Sequence, residues 1–464
     1  MRIAKAVKER RWNKVKVLQY LLTHSLSAKL LAVRRVTSNK GKNTPGIDGI
    51  LWKDAKEKLH AALSLKRRGY TPKPLRRIYI PKRNGKKRPL SIPTMYDRAM
   101  QALYKLALAP IAETTADRNS YGFREGRSCA DATAAVFNAL SKPNSATWVL
   151  EGDIEGCFDN ISHTWLMNNI PIDREILRKW LKAGYMEEGI MYPTHKGTPQ
   201  GGIVSPLLAN MTLDGMEKTI HKTVPYRSRV NFIRYADDFI ATGKSKRLLE
   251  TTVKPVIEEF LAKRGLKLSH EKTKITYIKD GFDFLGHTIR KYGRKLIITP
   301  SREGLTTLIR TIRNLIRRYT SAPMDILITK LNQLLRGWAR YHRHVASSVA
   351  FGRVGNYVYH QLWRMLHRRH RTKSAGWLTK HYWSAGQKHE FAVRKKLKTG
   401  SRLFSVIRVC SIKIVRHIKI KADANPYLAE YAPYFWNRRH RKEASLLGAL
   451  TARQFRAMMR VAAG

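Results

Sequence analysis

Two adjacent carboxylates stand in the middle of the chain, in the run Arg234-Tyr235-Ala236-Asp237-Asp238-Phe239. Apolar residues before and after this pair predict a strand, a turn that carries both acids, and a second strand. Neighbouring like charges are costly to bury unless something neutralises them. A divalent cation is the usual neutraliser, and Mg²⁺ prefers carboxylate oxygens and substrate phosphates. An ordinary acidic turn is the alternative for an isolated Asp-Asp pair.

A second acidic motif makes the metal interpretation stronger. The apolar run that begins at Trp148 predicts a strand with Asp153 at its end, beside the small Gly152. Two strand ends that each provide a carboxylate could hold two metal ions. Such a pair activates an attacking 3′-hydroxyl and stabilises a leaving pyrophosphate in an in-line displacement.

Several further blocks occur around these acids in a defined order. Ser120 to Ser128 combines aromatics, glycines and arginines, a composition that suits a nucleic-acid strand passing close to the backbone. Pro199-Gln200-Gly201-Gly202 lies between the two acidic motifs and leads into a helix that Ser205 can cap. Phe282 to His287 follows. In this order the chain resembles a reverse transcriptase, and in particular the protein encoded by mobile group II introns, over nearly its whole length.

The resemblance implies roles for individual residues. It implies Asp153, Asp237 and Asp238 as the catalytic acids, with two Mg²⁺ ions held by Asp153, Asp237 and the backbone of Ile154. For the incoming nucleotide it indicates Lys82, Arg88, Phe158, Gln200 and Lys272. In this family a bulky aromatic at the position of Phe158 faces the sugar and excludes a 2′-hydroxyl, which favours dNTPs over rNTPs.

Residues 75–93 are predicted to form a hairpin around Asn84-Gly85, a favourable two-residue turn. Its tip is basic and includes Lys82 and Arg88. A solvated basic turn is the plain interpretation. A fingers hairpin that touches triphosphate or template is the functional one.

Composition limits the possible partners. Lys and Arg number 90 and Asp and Glu 33, so the net charge is +57, and the excess extends along the whole chain. A polyanion such as nucleic acid is the first candidate, and a membrane surface is the weaker one. No apolar run approaches the ~18 residues of a spanning helix. Three distant cysteines favour a reducing compartment, and we expect a bacterial cytoplasmic protein that meets the nucleoid through nucleic acid.

Two amphipathic helices are predicted beyond residue 300. Each has one apolar face and one arginine face, with little acid interleaved, which suits inward packing and an outward grip on phosphates. The second resembles the maturase thumb at Leu335 to His342. The predicted RNA contacts are Arg310, Arg313, Arg317, Arg336, Arg340 and Arg343.

The predicted fold is an α/β right-hand polymerase, in which fingers and palm contain an antiparallel sheet, followed by an all-α thumb and a small C-terminal DNA-binding domain. The expected boundaries are 1–70 for an N-terminal extension, 71–300 for fingers and palm, 301–375 for the thumb, and 376–464 for the DNA-binding domain and a basic tail. Alternating residues between Ile412 and Ile420 predict strands. Since only one cysteine follows Cys157, we expect no endonuclease module of the kind many relatives have.

The expected function is RNA-directed DNA synthesis together with assistance to the splicing and mobility of a group II intron. The expected partners are the intron RNA, an RNA template, a DNA primer or target, and dNTPs. The alternatives are a splicing-only maturase, a reverse transcriptase freed from any intron, an RNA-templated RNA polymerase, and a nucleic-acid-binding scaffold. A scaffold explains the charge but not the ordered motifs.

Overall fold

The computed structural model describes residues 1–81, 85, 87–383, 390–397, 400–440 and 454. The chain forms two compact units. The first comprises residues 1–132, 148–275 and 420–464, and the second comprises residues 133–147 and 276–419. Across the part of the chain described here, no helix is both long and apolar enough to cross a membrane.

Helices dominate both units. A π-helical segment, Leu249–Val253, joins two of them, and short 3₁₀ turns occur at Lys40–Asn43, Val409–Ser411 and Ala429–Tyr431. The α-helices are α1 Arg2–Lys8, α2 Trp12–His24, α3 Leu26–Thr37, α4 Ala55–Ser64, α5 Met95–Thr115, α6 Cys129–Leu140, α7 Cys157–Asn160, α8 His163–Asn169, α9 Arg174–Leu181, α10 Ser205–Leu213, α11 Met216–Thr223, α12 Lys246–Leu248, α13 Lys254–Ala262, α14 Arg302–Arg318, α15 Met324–His342, α16 Ser348–Arg369, α17 Ala375–Tyr382 and α18 Ala432–Arg439.

The strands form small sheets. They are β1 Leu75–Pro81, β2 Lys87–Ile92, β3 Trp148–Gly152, β4 Tyr185–Glu187, β5 Ile190–Tyr192, β6 Phe232–Tyr235, β7 Asp238–Gly243, β8 Lys274–Tyr277, β9 Phe282–Phe284, β10 His287–Tyr292, β11 Lys295–Pro300, β12 Ala392–Leu397 and β13 Gly400–Ser405. One sheet has the order β2-β1-β4-β5, and another has the order β11-β10-β9. In the sheet with the acidic residues, β7 lies between β6 and β3 and is antiparallel to both.

The core of the first unit is built around α5. Thr94 caps this helix by accepting a hydrogen bond from the backbone N–H of Asp97. This gives a partner to one of the first-turn N–H groups that have none within the helix. Ala99, Met100, Leu103 and further residues of α5 are buried in a core that they share with the N-terminal helices. Small side chains such as Ala99 allow neighbouring helices to approach closely, and α5 shares its core with Leu150 and Phe239 of the acidic sheet.

The second unit has its own core. Leu308, Ile312 and Ile316 of α14 pack with Leu331 and Leu335 of α15 and with residues of α16. These are the apolar faces that the sequence predicts for the two arginine-bearing helices.

The strands predicted between Ile412 and Ile420 are wrong, because this segment forms neither a helix nor a strand. The hairpin of the region is β12–β13, which precedes it. Alternating residues indicate a two-faced segment, but a strand also needs a paired neighbour. Here the Val415 N–H donates instead to the Arg343 carbonyl, just after α15, over 2.8 Å. The predicted boundaries at 70, 300 and 375 stay predictions.

Candidate active site

The register of β3 against β7 brings the two acidic motifs together. Gly152 lies opposite Phe239 in this antiparallel pair, so Asp153 comes beside Asp238, one step further along. A Cβ on Gly152 would lie 2.2 Å from the Phe239 ring. Because glycine has no side chain, β3 and β7 can approach each other closely at the point where both acids leave the sheet.

The turn between β6 and β7 presents Asp237. Tyr235 pairs with Asp238 across the hairpin, which leaves Ala236 and Asp237 as the two-residue connection. Ala236 has a φ of 57°, in the left-handed region that costs an L-residue free energy. Gly122 supports this turn, because a Cβ on Gly122 would lie 2.3 Å from the Ala236 nitrogen.

A buried ion pair lies beneath the turn. The guanidinium of Arg234, whose side chain is completely buried, donates to Asp214 over 2.5 Å, to the Asn210 side chain over 3.0 Å and to the Ala236 carbonyl over 3.3 Å. Burial raises the pKa of Asp214, and the positive charge of Arg234 opposes that shift. Neither residue belongs to the predicted site, although a charged side chain inside an apolar strand is a signal for such a pair.

The acids influence one another electrostatically. Desolvation, then the charges of Asp237 and Asp153, raise the pKa of Asp238 to about 6, although part of its side chain is open to solvent. Desolvation also raises the pKa of Asp237, and Arg88 and Lys272 oppose this shift. The Lys272 ammonium lies 2.7 Å from the Asp153 carboxylate, and this hydrogen bond raises the lysine pKa. The site therefore concentrates negative charge that cations stabilise.

The donor groups are of the kind that Mg²⁺ prefers, namely carboxylate oxygens and a backbone carbonyl. Ile154 forms an antiparallel bridge with Leu268. The backbone hydrogen bonds of this bridge use the carbonyls of Lys267 and Asp153, so the Ile154 carbonyl lies outside the pairing. Among the residues that the structure describes, no three His, Cys, Asp or Glu side chains are gathered tightly enough to hold a metal ion by themselves. The donor chemistry thus fits a cation whose remaining ligands come from substrate.

Of the predicted nucleotide-binding residues, Lys272 contacts Asp153 directly, and three others have described surroundings. Arg88, on the exposed side of β2, acts electrostatically on Asp237. Phe158 is half-buried and meets Phe123 edge-on, with ring centroids 6.3 Å apart. The Gln200 side-chain amide donates to the Asp159 carboxylate over 3.1 Å, and the Gln200 backbone carbonyl accepts from the Ser91 N–H over 2.7 Å. Lys82 lies outside the described residues.

The 120–128 loop differs from its sequence-based interpretation. Its two arginines, Arg124 and Arg127, are almost fully buried and share the Glu113 carboxylate. They stabilise the loop from within and do not offer their side chains to a nucleic-acid strand. Sequence alone could not distinguish these two orientations, because Glu113 lies on α5, outside the motif.

The six arginines predicted to bind RNA lie in the second unit. Arg310, Arg313 and Arg317 are exposed along α14, and Arg336 and Arg340 along α15, with Arg343 just beyond the helix and half-exposed. Arg313 donates to the Tyr357 hydroxyl over 3.1 Å. Within the described ranges, none of the six pairs with an acidic side chain. Their charge is therefore available to an external anion.

Comparison with known families accounts for most of the chain. Residues 1–65 match the N-terminal domain of reverse transcriptase, residues 80–289 match reverse transcriptase (RNA-dependent DNA polymerase), and residues 305–383 match the group II intron, maturase-specific domain.

Individual relatives agree with these matches. Protein YkfC of Escherichia coli (strain K12) is 32% identical over 344 residues, which cover 65% of this chain and 88% of the relative. The group II intron-encoded protein LtrA of Lactococcus lactis subsp. cremoris is also 32% identical, over 413 residues that cover 67% of this chain and 68% of the relative. The chain belongs to the family of group II intron-encoded reverse transcriptases and maturases. A telomerase structure from Candida albicans has a TM-score of 0.38 and 12% identity, with 64% of this chain and 60% of that chain covered, too little to support an argument.

Membership of this reverse transcriptase and maturase family confirms the predicted function in outline. The protein is an RNA-directed DNA polymerase with a maturase role in group II intron splicing. It acts on intron RNA and nucleic-acid substrates, and like reverse transcriptases in general it depends on a divalent metal ion. The fold is of the right-hand polymerase kind, with sheets and helices.

Proposed function

We propose that Asp153, Asp237 and the backbone carbonyl of Ile154 hold two Mg²⁺ ions, with Asp238 as the third acid of the site. The observation that supports this most is the β3–β7 register, which brings the Asp153 and Asp237-Asp238 strand ends side by side. Bound there, the ions supply activation of a primer 3′-hydroxyl and stabilisation of the leaving pyrophosphate. The chain itself supplies the fixed carboxylates, because the Gly152 contact and the Arg234 ion pair hold both strand ends rigidly.

The incoming dNTP, in this proposal, lies between the acids and the fingers hairpin. Arg88 offers its guanidinium to the phosphates from β2, and Gln200 approaches from the loop before α10. The side chain of Lys272 is 64% exposed, so its ammonium has room to turn from Asp153 towards a phosphate. Phe158 faces the sugar and excludes a 2′-hydroxyl. Lys82 is kept as a further phosphate contact on sequence grounds alone.

Primer extension tests the assignment of the acids. Wild-type protein, with an RNA template, a DNA primer and Mg²⁺, should extend with dNTPs and poorly with rNTPs. Asp237→Asn keeps the size of the side chain but removes its charge, and should abolish extension. Glu250→Gln is the matched control, because the ion pair that Glu250 forms in the described part of the chain is with the exposed Lys246 over 3.4 Å, away from the site. Wild-type protein that binds RNA but extends nothing would favour the splicing-only alternative.

The helices α14 and α15 form, we propose, the thumb, and their arginines bind the phosphate backbone of intron RNA. The unpaired charge of these six residues supports this role, since salt-sensitive binding arises from cations that replace phosphate counterions. Substitution of Arg310, Arg317 and Arg336 by Gln should lower the slope of log affinity against log salt by about 0.7 to 0.9 for each lost contact. Lys263→Gln is the control, because Lys263 already pairs with Glu259 over 2.7 Å. An unchanged slope would exclude these residues from the interface.

The region from residue 376 is proposed to contact DNA, so that the protein can also prime synthesis on a DNA target during intron mobility. The exposed basic residues of β12–β13, among them Arg394 and Arg402, support this interpretation. The domain boundaries at 70, 300 and 375 and a bacterial cytoplasmic location near the nucleoid belong to the same proposal. Filter binding with a duplex target, before and after Arg394→Gln and Arg402→Gln, tests the DNA contact.

A further inference from the structure

The segment that follows residue 419 belongs to the first unit, and not to the second unit that precedes it in the chain. Residues 420–440, here called the clasp, belong to the same compact unit as the acidic sheet. The Ile420 N–H and the Arg438 guanidinium each approach the same oxygen of Asp131 at 2.7 Å. The Asp131 side chain is fully buried, so both ends of the clasp are fixed on one internal carboxylate. Hydrogen bonds to a buried charged group are among the stronger ones.

The clasp also completes the environment of a buried arginine. The side chain of Arg127 is 1% exposed, and it donates to the carbonyls of Ala422 over 3.0 Å and Ala424 over 3.3 Å. Its ionic partner, Glu113, is 3.4 Å away and already receives Arg124 at 2.7 Å. A buried cation with an incomplete set of acceptors is costly. The two clasp carbonyls therefore stabilise Arg127 in its inward orientation.

Two side-chain hydrogen bonds tie the clasp to the same loop and to the end of α5. The Tyr427 hydroxyl donates to Glu125 over 2.8 Å, and the buried Asn425 donates to Thr114 over 3.0 Å. Phe435 lies against Gly126, where a Cβ would meet the ring at 2.8 Å. Gly126 has a φ of 75°, so both its conformation and its neighbour require a glycine. The clasp thus covers the outer side of the 120–128 loop.

The inner side of that loop meets the catalytic turn. Tyr121 donates its N–H to the Arg234 carbonyl over 2.9 Å, and Gly122 packs directly on Ala236. The Gly122 carbonyl accepts from Asn210 over 2.7 Å. The next residue, Phe123, contacts Phe158. A displacement of the loop would therefore move both the Asp237 turn and the aromatic that faces the sugar.

We propose that the clasp positions the 120–128 loop against the catalytic turn, so that Asn425 and Tyr427 act as positioning residues for nucleotide addition. Neither residue touches substrate in this proposal. Tyr427 holds the loop through Glu125, and Asn425 anchors the clasp on Thr114 of α5 and accepts the Tyr427 N–H. The effect passes through the loop to Ala236 and Phe123, and the inference rests on the proposed assignment of Asp237 and Phe158. Small misplacements of reacting groups have large effects on reaction rate. Losing a few hydrogen bonds outside the active site is therefore enough to slow nucleotide addition.

The test uses the full chain with the double substitution Asn425→Ala and Tyr427→Phe. It removes three hydrogen bonds, namely Asn425 to Thr114, the Tyr427 N–H to Asn425, and the Tyr427 hydroxyl to Glu125. It leaves Asp131 and Arg438 intact, so the clasp stays attached at both ends. Asp423→Asn is the matched control, because Asp423 lies in the same segment but, among the described residues, forms its ion pair with the exposed Arg118, over 2.8 Å. For each protein we would measure the melting temperature, the KM for dNTP, kcat and the ratio of dNTP to rNTP incorporation. Amide exchange at residues 121–124 and 236–238 gives a readout without catalysis.

We expect the double variant to raise the KM for dNTP roughly fivefold or more and to weaken discrimination against rNTPs. Exchange at both sets of amides should become faster, and the control should match wild type in every measurement. A lower melting temperature with unchanged KM, discrimination and exchange would overturn the proposal, because the clasp would then only stabilise the fold. If Asp237→Asn still extends primers, the assignment of the acids fails. Exchange at 236–238 would then still report whether the clasp holds the turn.

Discussion

Arg234 and Asp214 form a buried ion pair of 2.5 Å directly beneath the turn that presents Asp237. The pair connects β6 with the residue that follows α10, and so anchors the turn to the helix behind the Pro199–Gly202 loop. Removing one partner of such a pair leaves an uncompensated charge in the interior. We therefore expect Arg234→Met to destabilise the first unit by about 3–5 kcal/mol, as measured by urea unfolding.

The double variant Arg234→Met with Asp214→Leu tests whether the unpaired charge causes the destabilisation. With both charges gone, no unpaired charge remains, and replacing a whole buried pair by apolar residues is often close to neutral. We expect the double variant to be more stable than Arg234→Met alone. Equal stabilities would show that packing, and not charge, dominates at this position.

The contact between Gly122 and Ala236 gives a second prediction. Because a Cβ at Gly122 would lie 2.3 Å from the backbone nitrogen of Ala236, Gly122→Ala must displace either the loop or the turn. A shift of about 1 Å in a reacting group can reduce the rate about a hundredfold, so we expect kcat to fall by that order. The measurement is single-nucleotide extension on a fixed template.

Gly352→Ala is the control for this substitution. Gly352 lies within α16, and a Cβ there meets no neighbouring atom within 4 Å. Alanine should therefore leave kcat unchanged and slightly stabilise the helix, by about 0.5–1 kcal/mol. If Gly122→Ala retains wild-type kcat, the turn tolerates movement, and close contact with Gly122 is not required to position Asp237 for catalysis.

The acids were recognisable from sequence because each follows an apolar strand, and that pattern requires only neighbouring residues. The placement of the acids side by side could not be predicted from the sequence, because the pairing of Gly152 with Phe239 joins segments 87 positions apart. The inward orientation of Arg124 and Arg127 depends on Glu113 in α5, which no motif includes. The amphipathic helices α14 and α15 were predictable for the same local reason as the acids, because periodicity of apolar residues identifies a helix directly.

The position of the clasp in the first unit could not be predicted from the sequence. Arg127 and Ala422 are separated by 295 positions, and the clasp meets Arg127 with the backbone carbonyls of Ala422 and Ala424, a group that every sequence has. Alternation between Ile412 and Ile420 predicted strands for the segment just before the clasp, but the backbone bonds of Val415 go to Arg343 instead. A pattern shows which residues face inward and does not show which distant surface receives them.

Phe158 provides a prediction about nucleotide choice. The side chain is half-buried and supported edge-on by Phe123, so it is fixed in one orientation. Phe158→Val should open space beside the sugar and raise incorporation of rNTPs relative to dNTPs by about tenfold or more. Competition between dCTP and CTP at one template position measures this ratio. Phe137→Leu, at a position where a large hydrophobic residue is exposed on α6, serves as the control and should leave the ratio unchanged.

The second unit contains a buried histidine cluster that makes its stability depend on pH. His287 and His342 are hydrogen-bonded to each other over 3.2 Å. Burial, then the neighbouring histidines, lower the pKa of His287 to about 3, and burial lowers that of His342 to about 4. Unfolded histidine has a pKa near 6.5. Between about pH 6.5 and 4 the unfolded state therefore binds more protons than the folded state, and stability falls as the pH falls.

Two such groups make the free energy of unfolding fall by up to roughly 2.7 kcal/mol for each pH unit of acidification. This loss of stability should be complete near the lowered pKa values of the two histidines. Urea unfolding at pH 7, 6 and 5 measures it, with fluorescence of Trp338 as the local signal, because its ring centroid lies 4.8 Å from that of His342. His287→Gln should remove about half of the slope. His60→Gln, at an exposed position of α4, should not change it. A slope that is the same in all three proteins would mean that other groups cause the acid sensitivity.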